Sequence, residues 1–506
     1  MRPVVSFPAK VMERLYVAAA IAGLAGWVAY RVFNPPRESS TEQRKPRKHG
    51  RGSVITQGAR WKKPEPADAA QPRAEDGASP RVVAARRNVS DGQSWSAMAK
   101  EAEELRASGR HWRDDAFPHD DGSLFVDPDR PPADWLRDGE RGKVLRDVRV
   151  EWHPPPKFCA TSRPLGRTAA GGSTWLYSDE DGDGHVSAQS AQNADDVVQG
   201  SLGDCYLLSA LALATRDCGV CEDLIDATFE DAGAYGVTLF VRGRWTLVFV
   251  DGFFPCWIPN DAHGRRRPRP VFASAADHRE IWPMVVEKAF AKLHGSYEGI
   301  GGGGVIATAL TALTGGAAWT ASARSIEWPE LMRAVASADV FVGAGSRRDL
   351  PDREMRGLVG GHAYSILHAV EVVAEGAAPA RLLLLRNPWA HGEWKGDWGV
   401  GSRLWSRRAD VVAAVGNKAS REDDGRFWIS LEDFRERFAS VDLCRIEGGR
   451  LKARNVLEEL RPDASGGRSS ADRSDDAAWL EGWAPAEPPQ KKRAQGSGKK
   501  KKKHGK

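Results

Sequence analysis

The chain has 506 residues, enough for about three domains of average size, and its 41% hydrophobic and 28% charged residues describe an ordinary globular composition. Six cysteines (Cys159, Cys205, Cys218, Cys221, Cys256 and Cys444) are too few and too scattered to staple a chain of this length, which excludes a disulfide scaffold and points to a reducing compartment. The formal charge of +5 averages over two basic stretches, one after residue 30 and one in the last sixteen residues, so the middle is near neutral and no specific nucleic-acid binding is expected.

Residues 15–30 form an uncharged run of 16 between Arg14 and Arg31. As a helix the run would span about 24 Å against roughly 30 Å of hydrocarbon, so it is expected to anchor the chain in a membrane with its flanking arginines snorkelling. Three basic residues precede it and seven follow closely, which places the C-terminal side in the cytosol. A cleaved signal or transit peptide and a buried helix are the competing readings of residues 1–33. Residues 34–119 are rich in Pro, Arg, Ser, Ala and Asp and carry no sustained period, which predicts a disordered linker.

From Leu124 to about residue 447, apolar runs, Trp and turn signals alternate without a break. Most of the 19 Trp fall between Trp112 and Trp428, which predicts a core and cleft built from large rings. Residues 205–214 are almost purely apolar and follow Gly203-Asp204, predicting a buried helix with Asp204 near its N-cap. A hairpin is expected over 236–250 around Arg242-Gly243-Arg244, and a helix over 280–293 from its period. Strands are expected at 340–343, 362–373, 381–386 and 427–430, so the first half reads as helix-rich and the second as strand-rich. Residues 448–506 return to polar composition and carry five lysines at 499–503, a flexible basic tail read as solvated, with attraction to anionic lipid or nucleic acid as the alternative. Two local patterns carry little: Cys218-x-x-Cys221 has no partner pair at metal-site spacing, and residues 179–184 imitate an EF-hand opening whose closing Glu is replaced by Ser190.

Three constellations carry chemistry. In Gln199-Gly200-Ser201-Leu202-Gly203-Asp204-Cys205, a thiol begins a helix, where the dipole favours a thiolate. The Cys205 N–H and the Gln199 amide can face a developing oxyanion, and the two glycines allow close backbone approach. In Gly360-Gly361-His362, an imidazole enters an apolar strand behind two residues that leave room for a substrate backbone. In Arg386-Asn387-Pro388-Trp389, an Asn at a strand end can accept the second imidazole N–H and fix the tautomer, with Trp389 covering the bond. Each alone also fits a structural role; the order Cys, His, Asn, with gaps of 157 and 25 residues, unites them.

Together with Leu124-Phe125-Val126-Asp127-Pro128, residues 282–297 (WPMVVEKAFAKLHGSY), Thr314-Gly315-Gly316 and residues 427–434 (FWISLEDF), these blocks resemble the calpain family of cysteine peptidases. The resemblance implies an α+β, papain-like two-lobed core, with lobe 1 over 120–320 carrying Cys205 and lobe 2 over 321–447 carrying His362 and Asn387. It further implies Gln199 at the oxyanion hole, Trp389 as a mobile wedge, and limited intracellular proteolysis of protein substrates. Tyr206 departs from the family's Trp after the nucleophile, which is expected to alter packing. For calcium, Asp196 and Glu280 match the family's lobe 1 ligands. In lobe 2, Glu393 and Asp424 match, but Val400 stands where an Asp is expected and Arg426 where a Glu is expected. The expectation is one calcium ion in the first lobe and partial or no calcium control of the second. The rivals are a non-catalytic, membrane-tethered calpain-like binding protein and a transglutaminase-like acyl transferase, which prefers Asp where Asn387 stands.

Overall fold

Runs of Val, Ile, Leu and aromatic residues in the second half of the chain build one six-stranded antiparallel sheet. Its order is Ala317–Ser322, Phe438–Arg445, Val340–Ser346, Ala363–Val372, Ala380–Arg386 and Arg426–Ser430. The computed structural model describes residues 94–132, 150–160, 164, 166–167, 173–176, 194–215, 224–258, 267–416 and 424–446. These all lie within the unit running from Ala69 to Lys506. The expected anchor at 15–30, the acidic turn at 179–184, the Cys218/Cys221 pair and the basic tail at 448–506 fall outside the described residues. Among the described residues no helix is long and apolar enough to cross a membrane.

The four strands expected in the second half are present, three slightly longer and Ala363–Val372 slightly shorter than expected, and two more extend the sheet on one side. Ala317–Ser322 is missed by pattern because its small side chains are half-exposed. It pairs along its whole length with Phe438–Arg445, so the sheet begins at 317 and the expected boundary at 320/321 cuts through its edge strand.

The preceding region is mixed and not simply helix-rich. Cys205–Ala214 is a helix in which every residue after Cys205 is buried. Trp282–Leu293 starts with Pro283 in its first turn, where a missing N–H costs nothing. Strands Ala234–Val241 and Arg244–Asp251 form the expected hairpin, closed by Arg242 (φ 59°) and Gly243 (φ 78°) in the two-residue geometry that matches strand twist. The Cys205–Ala214 helix shares one apolar cluster with Phe341, Ala363 and Cys444 of the large sheet, while Trp328, Leu383, Trp394, Phe427 and Phe434 belong to a second cluster.

The linker expected over 34–119 is, from Ser94 onward, folded structure. Ser94 caps the helix Trp95–Ser108, accepting from the Ala97 N–H, and Gly109 (φ 63°) ends it. Trp95 donates to Asp226 at 2.8 Å and Arg106 pairs with Asp231 at 2.7 Å. Met98 and Ala102 are buried in a cluster with Phe229, Leu247 and Phe249.

Candidate active site

His362 immediately precedes the strand Ala363–Val372, and Asn387 immediately follows the strand Ala380–Arg386. The two strands are antiparallel neighbours with Ser365 opposite Arg386, so the start of one and the end of the other share one end of the sheet. There the His362 Nε2 lies 2.9 Å from Asn387 Oδ1. The Asn387 Nδ2 donates to the carbonyls of His391 (2.7 Å) and Gly392 (3.0 Å), which settles the amide orientation. Oδ1 is therefore the acceptor, Nε2 carries the ring proton, and Nδ1 keeps its lone pair. Trp389 covers this bond: its ring centroid lies 4.7 Å from that of His362, and its backbone N–H donates to Asn387 Oδ1 at 3.1 Å. His362 and Asn387 are both buried, and burial pushes the imidazole down to about 4 against the opposing pull of Asn387.

Cys205 opens its helix against the same end of the sheet. Ser365 Oγ donates to Ser209 O at 3.0 Å, tying helix to strand. Burial, followed in weight by the opposing Ala363 N–H and then the Asp204 charge, sets the thiol at about 11; the Tyr206 N–H and Arg348 also draw it down. Burial thus favours the neutral form of both the thiol and the imidazole. Cys205 and His362 line one cavity of about 270 Å³, together with Gly304, Ile306, Ser346 and Arg348.

The glycines act as expected in the Cys205 loop: a Cβ at Gly200 would lie 2.1 Å from Phe272 O, and one at Gly203 would lie 2.2 Å from Gly301 O. Beside His362 the outcome differs. Gly361 has φ 68°, and the space its Cβ would take is filled by the Arg348 side chain and not left open. Tyr206 packs its ring against Gly304, where a Cβ would meet it at 2.6 Å, and sends its hydroxyl to Ile300 O at 3.3 Å.

Gln199 is buried; its Nε2 donates to Leu202 O at 2.6 Å, and its backbone N–H donates to Pro388 O at 2.9 Å. Asp196 ends the turn Ala194–Asp196, and its carbonyl accepts from the Ala276 N–H on the segment that leads to Glu280, itself buried. In the loops beside the large sheet the Asp424 N–H donates to Glu393 Oε1 at 3.1 Å, but Arg426 lies 2.8 Å from Asp424 Oδ2 and Val400 is exposed. Among the described residues no group of three or more His, Cys, Asp or Glu is placed to hold a metal ion.

Three features escaped the motif reading. Asp204 occupies the N-cap position yet makes no capping bond; its carboxyl is fully buried and meets Glu287. Lys288 and Lys292, on a buried helix, reach Asp251 and Asp114 at 2.6 Å each. Charged residues inside an otherwise apolar period were the available signal, without an indication of their partners.

The thiol at a helix start, the imidazole bonded to Asn387 and the α+β frame all lie within the region that a known family matches. The chain belongs to the calpain family: the family described as calpain family cysteine protease matches residues 112–445. Among its relatives, the calpain-type cysteine protease DEK1 of Zea mays is 32% identical over 355 residues, covering 67% of this chain and 14% of that protein. Calpain-9 of Homo sapiens is 31% identical over 376 residues, covering 72% of this chain and 46% of the relative. The calpain-1 catalytic subunit of Mus musculus is 31% identical over 281 residues, covering 52% and 36%. The match thus spans less than half the length of these relatives.

Proposed function

We propose that this protein is a cysteine endopeptidase with a papain-like, two-lobed core that cuts proteins through Cys205, His362 and Asn387. The observation carrying this reading is the 2.9 Å His362–Asn387 bond, which takes up Nε2 and leaves Nδ1 as the lone-pair nitrogen of a residue that lines the same cavity as Cys205. The Cys205 proton passes to Nδ1 as the sulfur attacks the scissile carbonyl carbon. The oxyanion then meets the Cys205 N–H and the second N–H of Gln199 Nε2, whose first is given to Leu202. His362 protonates the departing amine, and water, activated by the same imidazole, releases the acid from the thioester.

A calcium ion takes six to eight oxygens. In the second lobe the residues do not fit one, because the Arg426 guanidinium already lies 2.8 Å from Asp424 Oδ2 and Val400 supplies no oxygen. In the first lobe Asp196 and Glu280 are hard donors on adjoining segments and would hold a single ion. Calorimetric titration should count at most one tight calcium ion; two would overturn this assignment. The run at 15–30 is proposed to hold the core at a membrane on the cytosolic side, which membrane fractionation tests directly.

The decisive experiment is casein cleavage by the full chain beside Cys205→Ala, with calcium and with a chelator. Cleavage abolished in the variant is expected. Equal cleavage by both proteins would refute Cys205 as the nucleophile, and no cleavage by either would leave the non-catalytic binding protein in its place.

A further inference from the structure

The misfit of a second cation has a specific cause in this chain. Arg386 ends its strand fully buried, immediately before Asn387, and aims its guanidinium at the segment leading to Gln199. Its Nη2 donates to Val197 O at 2.7 Å and Asp195 O at 3.1 Å, and its Nε reaches Asp195 Oδ1 at 3.3 Å. Arg426, paired with Arg386 across the sheet, lies 3.1 Å from the other Asp195 oxygen, Oδ2, and 2.8 Å from Asp424. The Asp195 carboxylate is thus shared between two guanidiniums. Four residues on, the Gln199 N–H donates to Pro388 O at 2.9 Å. The stretch 195–199 is thereby stitched to 386–388, joining the oxyanion side of the cleft to the side holding His362 and Asn387.

We propose that Asp195, gripped by Arg386 and Arg426, is a positioning residue that straps the two sides of the cleft together, so that a fixed arginine does what a bound cation would otherwise do in the second lobe. The inference rests on the peptidase reading for its effect on activity, and on the geometry alone for its effect on the Gln199 amide. A carboxylate between two guanidiniums is already charge-compensated, and a divalent ion entering beside Asp424 would face the Arg426 charge at contact distance. The two grips differ in character. The Arg386 side chain is wholly buried, so its contacts are shielded from salt, whereas Arg426 and Asp195 are each about 40% exposed and their pairing weakens as ionic strength rises.

The test uses the full chain in a chelator and in excess calcium, with Asp195→Asn, Arg426→Gln, Arg426→Lys and the double Asp195→Asn/Arg426→Gln. Two quantities are read: peptide hydrolysis and hydrogen exchange at the Gln199 amide. The wild type should hydrolyse peptide within about twofold in either condition. Asp195→Asn and Arg426→Gln should each lower kcat, roughly tenfold for the former, with a smaller change in KM, and the double variant should fall no further than Asp195→Asn. Arg426→Lys should recover most of the loss, which a role in packing alone would not. Exchange at Gln199 should quicken in Asp195→Asn and Arg426→Gln and be indifferent to calcium. A wild type whose second lobe closes only with calcium, or Gln199 exchange unmoved in both variants, would overturn the strap. If the wild type hydrolyses nothing while Gln199 exchange responds as expected, the peptidase reading fails and the strap stands.

Discussion

Asp204 and Glu287 meet carboxyl to carboxyl in the interior, directly behind the nucleophile, and both are wholly enclosed. Glu287 spends one oxygen on the Ala273 N–H at 2.9 Å, and its carboxyl is the side-chain hydrogen-bond partner of Asp204. Two such groups tolerate each other only with a proton between them. Burial raises both, Asp204 to about 7, while Glu287 is raised further by the Asp204 charge. Tyr206, Tyr297 and Cys205 are the other titratable groups that feel this charge.

The sign of the consequence is fixed. The folded state holds a proton that the unfolded chain releases near pH 4, so stability falls as pH rises from about 4 through 7. Glu287→Gln keeps a donor facing Asp204 and removes the second ionisable group. Its melting temperature should exceed that of the wild type by at least about 2 °C at pH 8, with the gap closing below pH 4. A gap independent of pH would show that no proton is shared.

Cys205 should be slow to alkylate at neutral pH. With the thiol raised to about 11 and His362 lowered to about 4, the thiolate is a minor species at rest. Iodoacetamide labelling, followed by peptide mapping, should rise about tenfold per pH unit between 7 and 10. A fast plateau already present near pH 5 would mean a preformed thiolate–imidazolium pair.

Asn387 fixes the ring through one acceptor and two donated bonds. Asn387→Ala should lower kcat at least about a hundredfold with little change in KM, the scale expected when a general base loses its orientation. Asn387→Asp sets a carboxylate against the imidazole and raises its pKa from about 4. The acid limb of the activity profile should therefore move to higher pH in that variant; an unmoved limb would count against His362 as the base.

Lys288 is buried on the helix Trp282–Leu293, where its Nζ holds Asp251 Oδ1 at 2.6 Å, Asp251 O at 3.0 Å and Phe253 O at 2.7 Å. His119 lies 2.8 Å from the other Asp251 oxygen. Burial alone would raise the Asp251 carboxyl, but Lys288 and His119 overcome it and hold it well below the usual range. Stability from this group is present above pH about 4 and is lost as the solution becomes more acidic. Lys288→Met strands the carboxylate and should cost about 3–5 kcal/mol in urea unfolding at pH 7. A cost below about 1 kcal/mol would mean that His119 and water replace the lysine.

Much of the site could be read before any fold was known, because its parts are local. The helix from Cys205, the strand entered after His362 and the strand left at Asn387 each announce themselves over fewer than a dozen residues. Juxtaposition was harder. That Asp204 abandons its capping role for Glu287, or that Asp195 is shared by Arg386 and Arg426, depends on contacts 83 to 231 residues apart, which no period encodes. Arg426 was legible as a departure from the family pattern, but the carboxylate it seeks was not. The helix Trp95–Ser108 was overlooked for another reason: Trp95, Met98, Ala102 and Leu105 do recur at helical spacing, yet the stripe is narrow among charged residues.

That helix carries the described fold upstream of the family match. The family match opens at residue 112, seventeen positions past the start of the helix at Trp95. A shortened protein cut to the match would strip the cover from Phe229, Leu247 and Phe249 and deprive Asp226 and Asp231 of their partners. Such a truncation is expected to aggregate through the bared apolar surface, and recombinant versions are best started upstream of Ser94.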